Sequence, residues 1–93
     1  MFTVKSQDIS VWGPIKWREL HSRPSYHSLN LNLEHLWIDR WVESIPCGTC
    51  KSHFEYLRSI RPEDLRSRES YRDWTVSIHN DVNFLIDKPK FRV

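Results

Sequence analysis

Prolines divide this chain more firmly than any other residue. Of the five, Pro24, Pro46 and Pro89 each close a stretch of helical periodicity. Proline has no N–H to give an inner helical turn, and it pushes the residue before it out of helical torsions. Pro62 falls in a polar loop, "RPEDLRSRES" (61–70). Pro14 stands where a helix accepts it, in a first turn whose N–H groups lack intrahelical partners. Between these breaks, apolar residues recur every three or four positions. Trp12, Ile15 or Lys16, and Leu20 mark the first helix, capped by Ser10. Leu33, Leu36, Trp37, Trp41 and Val42 form a stripe within Leu29–Ile45, and a third helix opens at the CGTC to carry His53, Phe54 and Leu57. Ser67 or Ser70 caps the last helix, with Trp74, Ile78, Val82 and Leu85 as its apolar line. Residues 2–11 read as extended, but nothing alternates to pair with them. The expected fold is all-α: one domain over 1–93, a compact four-helix bundle, with room for a short extra helical turn at Pro62–Leu65.

Five Trp, three Tyr and four Phe in 93 residues are a heavy aromatic load. Such rings fill a core or line a flat ligand. The net charge of +2 comes from scattered residues. The one basic run, Arg58, Arg61, Arg66, Arg68 and Arg72, is interrupted by Glu63, Asp64 and Glu69. It reads as a solvated face, so no nucleic-acid partner is expected. No apolar run approaches the roughly 18 residues of a membrane span, and the start lacks a charged n-region followed by an apolar h-region. No membrane partner and no signal peptide are therefore expected, and a cytoplasmic location.

Cys47 and Cys50 are the only cysteines. A bridge between them closes a tiny loop and adds little stability. Zinc would find three ligands in Cys47, Cys50 and His53, with His21 or His79 as a fourth, but no second tight pair exists. Haem attachment needs a histidine where Lys51 stands. Disulfide exchange fits better. Pro46 before the pair and Gly48 within it place the thiols at the first turn of a helix, where free N–H groups and the helix dipole favour a thiolate. Two cysteines store two electrons but cannot dispose of them, so a turning-over oxidase needs a flavin, quinone or metal.

Three blocks in order, "WGPIKWRELH" (12–21), "IPCGTCKSHF" (45–54) and "WTVSIHNDVNFLIDKPKF" (74–91), resemble the signatures of the Erv/ALR family of FAD-linked sulfhydryl oxidases. The resemblance implies a small helical bundle that holds FAD noncovalently with the isoalloxazine beside the CxxC. It implies Cys47 and Cys50 as the catalytic pair, and Gly13, Trp17, His21, His53, His79, Asn80, Val82, Asn83 and Lys88 as cofactor-binding residues, with no metal. Helical spacing agrees in part, since His79 and Asn83 are four apart and Asn80 and Asn83 three apart. Taken singly, His21, Trp17, Trp74 and Asn80 would read as core or solvated residues. Only their joint spacing carries weight. The implied partners are protein dithiol clients or a thioredoxin-like shuttle, with O₂ as acceptor yielding H₂O₂.

The resemblance also implies a homodimer through the first two helices. Trp12, Leu20, Leu33, Leu36, Trp37 and Trp41 are candidates for its face, and Glu34, His35 and Asp39 for its rim. Two further family cysteines are replaced by Val76 and Val93, which removes the usual clamp disulfide and leaves a Val–Val contact as its substitute. The basic residue that often follows the first-block glycine is Pro14 here, leaving Lys16 or Arg18 to meet a phosphate. No distal shuttle cysteine pair is present. A minimal core of this kind resembles the viral members, which work in the host cytoplasm. The rival reading is a non-catalytic helical adaptor whose CxxC is structural or zinc-bound.

Overall fold

The computed structural model describes residues 9–26, 30–86 and 89–91. Helix α1 spans Ile9–Ser22 and runs into a 3₁₀ turn, Arg23–Tyr26; α2 spans Leu31–Glu43, α3 Gly48–Ile60 and α4 Arg68–Leu85. Among the described residues there is no strand. The four-helix expectation holds, but the extra turn lies elsewhere. Pro62–Leu65 is irregular, because its side chains serve tertiary partners. Glu63 accepts two hydrogen bonds from the Arg58 guanidinium, and Leu65 is buried in the core. The short turn forms instead at Pro24, which is itself buried.

α1 begins earlier than its apolar pattern suggests. Residues 9–11 are helical rather than extended, Ser10 lies inside the helix rather than at its cap, and Pro14 lies further in than a first-turn proline. Pro14 leaves the Ser10 carbonyl without its helical donor. The expectations for residues 2–8, Leu29, Lys88 and Val93 fall outside the described residues, and with them the proposed Val76–Val93 contact.

The other helix starts follow from their caps. Asn30 Oδ1 accepts the Leu33 N–H at 3.1 Å. At α4, Ser67 and Ser70 do the work jointly: each hydroxyl accepts the other's backbone N–H at 3.0 Å. This reciprocal box satisfies two donors that a helix start otherwise leaves orphaned. At α3 the cap is Cys47, whose Sγ accepts the Cys50 N–H at 3.2 Å. The pair is thus anchored at a helix N-terminus, as its sequence setting demands.

α4 packs against α1 and α3, and α2 packs against α3. Leu20, Ile38, Trp41, Val42, Phe54, Trp74 and Ile78 fill the space between them. Parts of the expected apolar stripes face solvent. On α2 the buried face is Glu34, Ile38, Trp41 and Val42, while Leu33 and Leu36 are each 46% exposed. On α4 Trp74, Ile78 and Val82 face the core and only Leu85 is exposed, and on α1, where the period admits Ile15 or Lys16, it is Lys16 that turns inward.

The reason on α2 is Glu34, an acid with no accessible surface. Arg23 grips it with two nitrogens at 2.9 and 2.8 Å, and the Tyr71 hydroxyl donates to it at 3.3 Å. A buried charge persists only when paired and hydrogen-bonded. This ion pair, placed under the 3₁₀ turn, sets which face of α2 turns inward. It also removes Glu34 from any dimer rim. His35 and Asp39, the other rim candidates, bind Glu63 and Arg58 at 2.7 Å each. Of the basic run, Arg58, Arg61 and Arg66 are all committed to carboxylates.

Candidate active site beside the Cys47–Cys50 pair

Cys47 and Cys50 are both half-buried free thiols, but their surroundings differ. Cys50 packs against the hydrophobic core. Cys47, at the cap, faces the N–H groups of the first turn. Its pKa is lowered, first by a hydrogen bond from the Cys50 thiol, then by the backbone N–H groups of Cys50 and Thr49. Cys50 is pushed up to about 11, first by burial and then by the hydrogen bond and charge of Cys47. When the reduced pair ionises, Cys47 therefore loses its proton before Cys50 does.

Behind Cys50 lies a small cavity of about 50 Å³, mostly apolar, lined by Trp12, Lys16, Trp17, Trp41, Ile45, His53, Val82 and Ile86 as well as Cys50 itself. Trp17, Val82 and Ile86 are also walls of a larger cleft of about 700 Å³. That volume falls within the usual range for a small-molecule site. Gly13, Pro14, Arg18, His21, His79, Asn83, Pro89 and Phe91 complete its lining.

Rings dominate this cleft. The His79 imidazole stacks on the Trp17 indole at 3.8 Å and 10°. His21 stacks on Phe91 at 4.5 Å and 9°. His21 Nε2 and His79 Nδ1 share a hydrogen bond of 2.8 Å. Burial depresses the His21 pKa, which keeps its imidazole neutral near pH 7. Arg18 is the only Lys or Arg side chain among the described residues lining the cleft, and it forms no ion pair there. Lys16 is spent elsewhere. Its ammonium donates to the Trp41 carbonyl at 3.2 Å and to the Ser44 hydroxyl, pairs with Glu19 at 3.3 Å, and lies 4.9 Å from the Trp41 ring centre.

Of the residues singled out from sequence, Gly13, Trp17, His21, His79, Val82 and Asn83 meet in the larger cleft, and His53 joins Cys50 at the smaller cavity. Asn80 does not line either. Its Oδ1 accepts the Phe91 N–H at 2.6 Å, holding the last described residues against α4. Lys88 lies outside the described residues. Phe91 itself was missed, although an aromatic residue just past the helix-ending proline was a readable signal. Thr75 was also missed, because a lone threonine in an apolar stretch announces nothing. Among the described residues there is no group of three or more His, Cys, Asp or Glu able to hold a metal ion. No helix among them is long and apolar enough to cross a membrane.

A sequence profile of the Erv1/Alr family matches residues 16–93. The chain belongs to the Erv1/Alr family. Its relatives in this family include viral proteins. An FAD-linked sulfhydryl oxidase of African swine fever virus is 36% identical over 83 residues, covering 83% of this chain and 69% of the viral one. A probable FAD-linked sulfhydryl oxidase of Acanthamoeba polyphaga mimivirus is 28% identical over 85 residues, covering 83% of this chain and 59% of that protein. A Saccharomyces cerevisiae FAD-linked sulfhydryl oxidase is 37% identical over 54 residues, covering 58% of this chain and 28% of the yeast protein. No solved structure matches at comparable significance. The all-helical fold agrees with that membership.

Proposed function

We propose that the protein is an FAD-dependent thiol oxidase that forms disulfides in protein clients through Cys47 and Cys50. The observation that carries this is the juxtaposition of a thiol pair at a helix start with ring-lined cavities, Cys50 lining the smaller one, which shares Trp17, Val82 and Ile86 with the larger cleft. The residues present fit the cofactor. Trp17, His21, His79 and Phe91 offer flat faces, Asn83 a buried amide, and Arg18 a cation for phosphate. When bound, FAD supplies a two-electron acceptor for the reduced pair and a route from there to O₂, giving H₂O₂.

The protein's own chemistry is thiol–disulfide exchange. With Cys47 and Cys50 joined, a client thiolate attacks Cys47 Sγ. The Cys47–Cys50 bond breaks, a client–Cys47 bond forms, and Cys50 leaves as a thiolate. A second client thiolate then attacks the client sulfur, releasing Cys47 and closing the client disulfide. Two of the influences that raise the Cys50 pKa, the hydrogen bond and the charge, come from Cys47. Both vanish while Cys47 is tied to a client, so Cys50 becomes a better leaving group at the step that needs one. The clients are protein dithiols, or a thioredoxin-like carrier. The purified protein should be yellow and should produce peroxide from dithiothreitol. A colourless protein that loses structure to a chelator would instead establish the adaptor reading.

Arg18 rather than Lys16 is assigned to the cofactor's phosphates, because Lys16 is fully engaged. Arg18→Ala should weaken FAD binding about tenfold, the loss of one charge-assisted contact. Affinity for riboflavin, which carries no phosphate, should not change. Flavin fluorescence titration measures both, and equal losses for the two ligands would remove the assignment.

A homodimer is proposed on a revised face. Leu20 and Trp41 are core residues and Trp37 lies half-buried beneath the Arg23 guanidinium. The surface therefore passes to Leu33 and Leu36, with Val11 and Ile15 on α1, each about half exposed. Exposed apolar side chains on the first two helices suit a self-complementary two-fold contact. Light scattering should give twice the chain mass at tens of micromolar, halved by Leu33→Glu with Leu36→Glu. A wild-type mass of one chain would rule the dimer out.

A further inference from the structure

Thr75 touches neither cavity, yet it lies at the root of the ring cluster. It is fully buried on α4. Its hydroxyl has one proton, donated to the Arg72 carbonyl at 2.7 Å. The same oxygen lies 3.0 Å from His21 Nδ1. With its proton spent, the hydroxyl can only accept, so Nδ1 of His21 must be the N–H nitrogen. A neutral His21 then has a lone pair on Nε2. Its partner there, His79 Nδ1 at 2.8 Å, must be the donor.

Direction thus passes from one backbone carbonyl through Thr75 and His21 to His79. We propose that Thr75 is a positioning residue whose buried hydroxyl fixes the tautomers of His21 and His79, and with them the orientation of the two imidazoles that wall the cleft. The consequence is mechanical as well as electronic. Each imidazole is held by a directed bond at one edge and by a ring face, Trp17 for His79 and Phe91 for His21. A side chain locked in this way meets a planar ligand without ordering itself at that moment, which is the general route by which preorganisation raises affinity. The link to FAD rests on the function proposed above. The tautomer assignment does not.

Histidine ring ¹H–¹⁵N correlation spectra of the labelled protein as purified test the relay directly. The wild type should show His21 and His79 both protonated at Nδ1. Thr75→Val keeps the buried shape but removes the acceptor, so His21 should lose that single tautomer and FAD affinity should fall about tenfold, the loss of one buried hydrogen bond. Thr75→Ser restores an acceptor in the same place and should return both signals toward wild type. The relay is overturned if wild-type His21 carries its proton on Nε2, or if Thr75→Val leaves its tautomer unchanged. An affinity loss that serine does not rescue would make Thr75 a packing residue only. Should the valine variant not fold, the wild-type spectrum and the serine variant still decide. A wild type with the expected tautomers that binds no FAD would sink the proposed function while leaving the relay intact.

Discussion

Cys47→Ser and Cys50→Ser should each abolish peroxide production from dithiothreitol, with FAD still bound in both variants. The chain has no third cysteine to take over, and removing one member of a group that acts as a unit costs about as much as removing the group. The two variants should nonetheless differ in thiol chemistry. In the reduced wild type, Cys47 ionises before Cys50, so limiting iodoacetamide near neutral pH should label Cys47 first. Cys50 should respond only as the pH climbs towards about 11. The sign follows from the shifts: a lowered pKa means more thiolate at a given pH, a raised one less. In Cys47→Ser, the thiolate charge that helps hold the Cys50 proton is gone, and the serine hydroxyl is a weaker acceptor than a thiolate. Cys50 should then alkylate at lower pH than in the wild type. Peptide mass spectrometry across a pH series separates the two sulfurs. Full turnover in either variant, or equal labelling of both cysteines at every pH, would falsify the assignment.

This asymmetry was legible in part. Pro46 and Gly48 announced a helix start at the pair, and the structure makes Cys47 the cap itself. Which thiol carries the charge depends on burial, and burial comes from Cys50 packing on residues distant in sequence. The helices were legible because prolines and capping residues act locally. The faces were less so. Leu33 and Leu36 match the helical period as well as Ile38 does, and periodicity cannot weigh a buried Arg23–Glu34 ion pair eleven residues apart. Glu34 looked like rim and is core. The same limit applies at the cleft. His79 and Asn83 converge because four residues make about one helical turn. Asn80 satisfies the same spacing rule but is drawn off by the Phe91 N–H. Lys16 and Arg18 were equivalent in the sequence, and only the position of the α2 carboxyl end separates them.

Removing FAD should lower the melting temperature by about 10–20 °C. A cofactor that binds only the folded state stabilises it by about 2.7 kcal/mol at a free concentration one hundred times its dissociation constant. In a domain this small each kcal/mol moves the midpoint by about 4–8 °C. The structure gives reasons to expect the full effect. The cleft of about 700 Å³ has Trp17, Val82, Ile86 and Phe91 among its walls, apolar surface that a bound ring system would withdraw from water. Phe91 reaches those walls through contacts with His21 and His79 and a hydrogen bond to Asn80. No disulfide spans the chain to compensate, since the only two cysteines are three residues apart. Stripping the flavin and recording thermal melts with and without added FAD measures the difference. The shift should grow with FAD concentration as mass action requires, and Arg18→Ala should need about ten times more FAD to reach the same midpoint. An apo-protein that melts with the holo-protein, unmoved by added FAD, would mean that the cleft is not where the flavin binds.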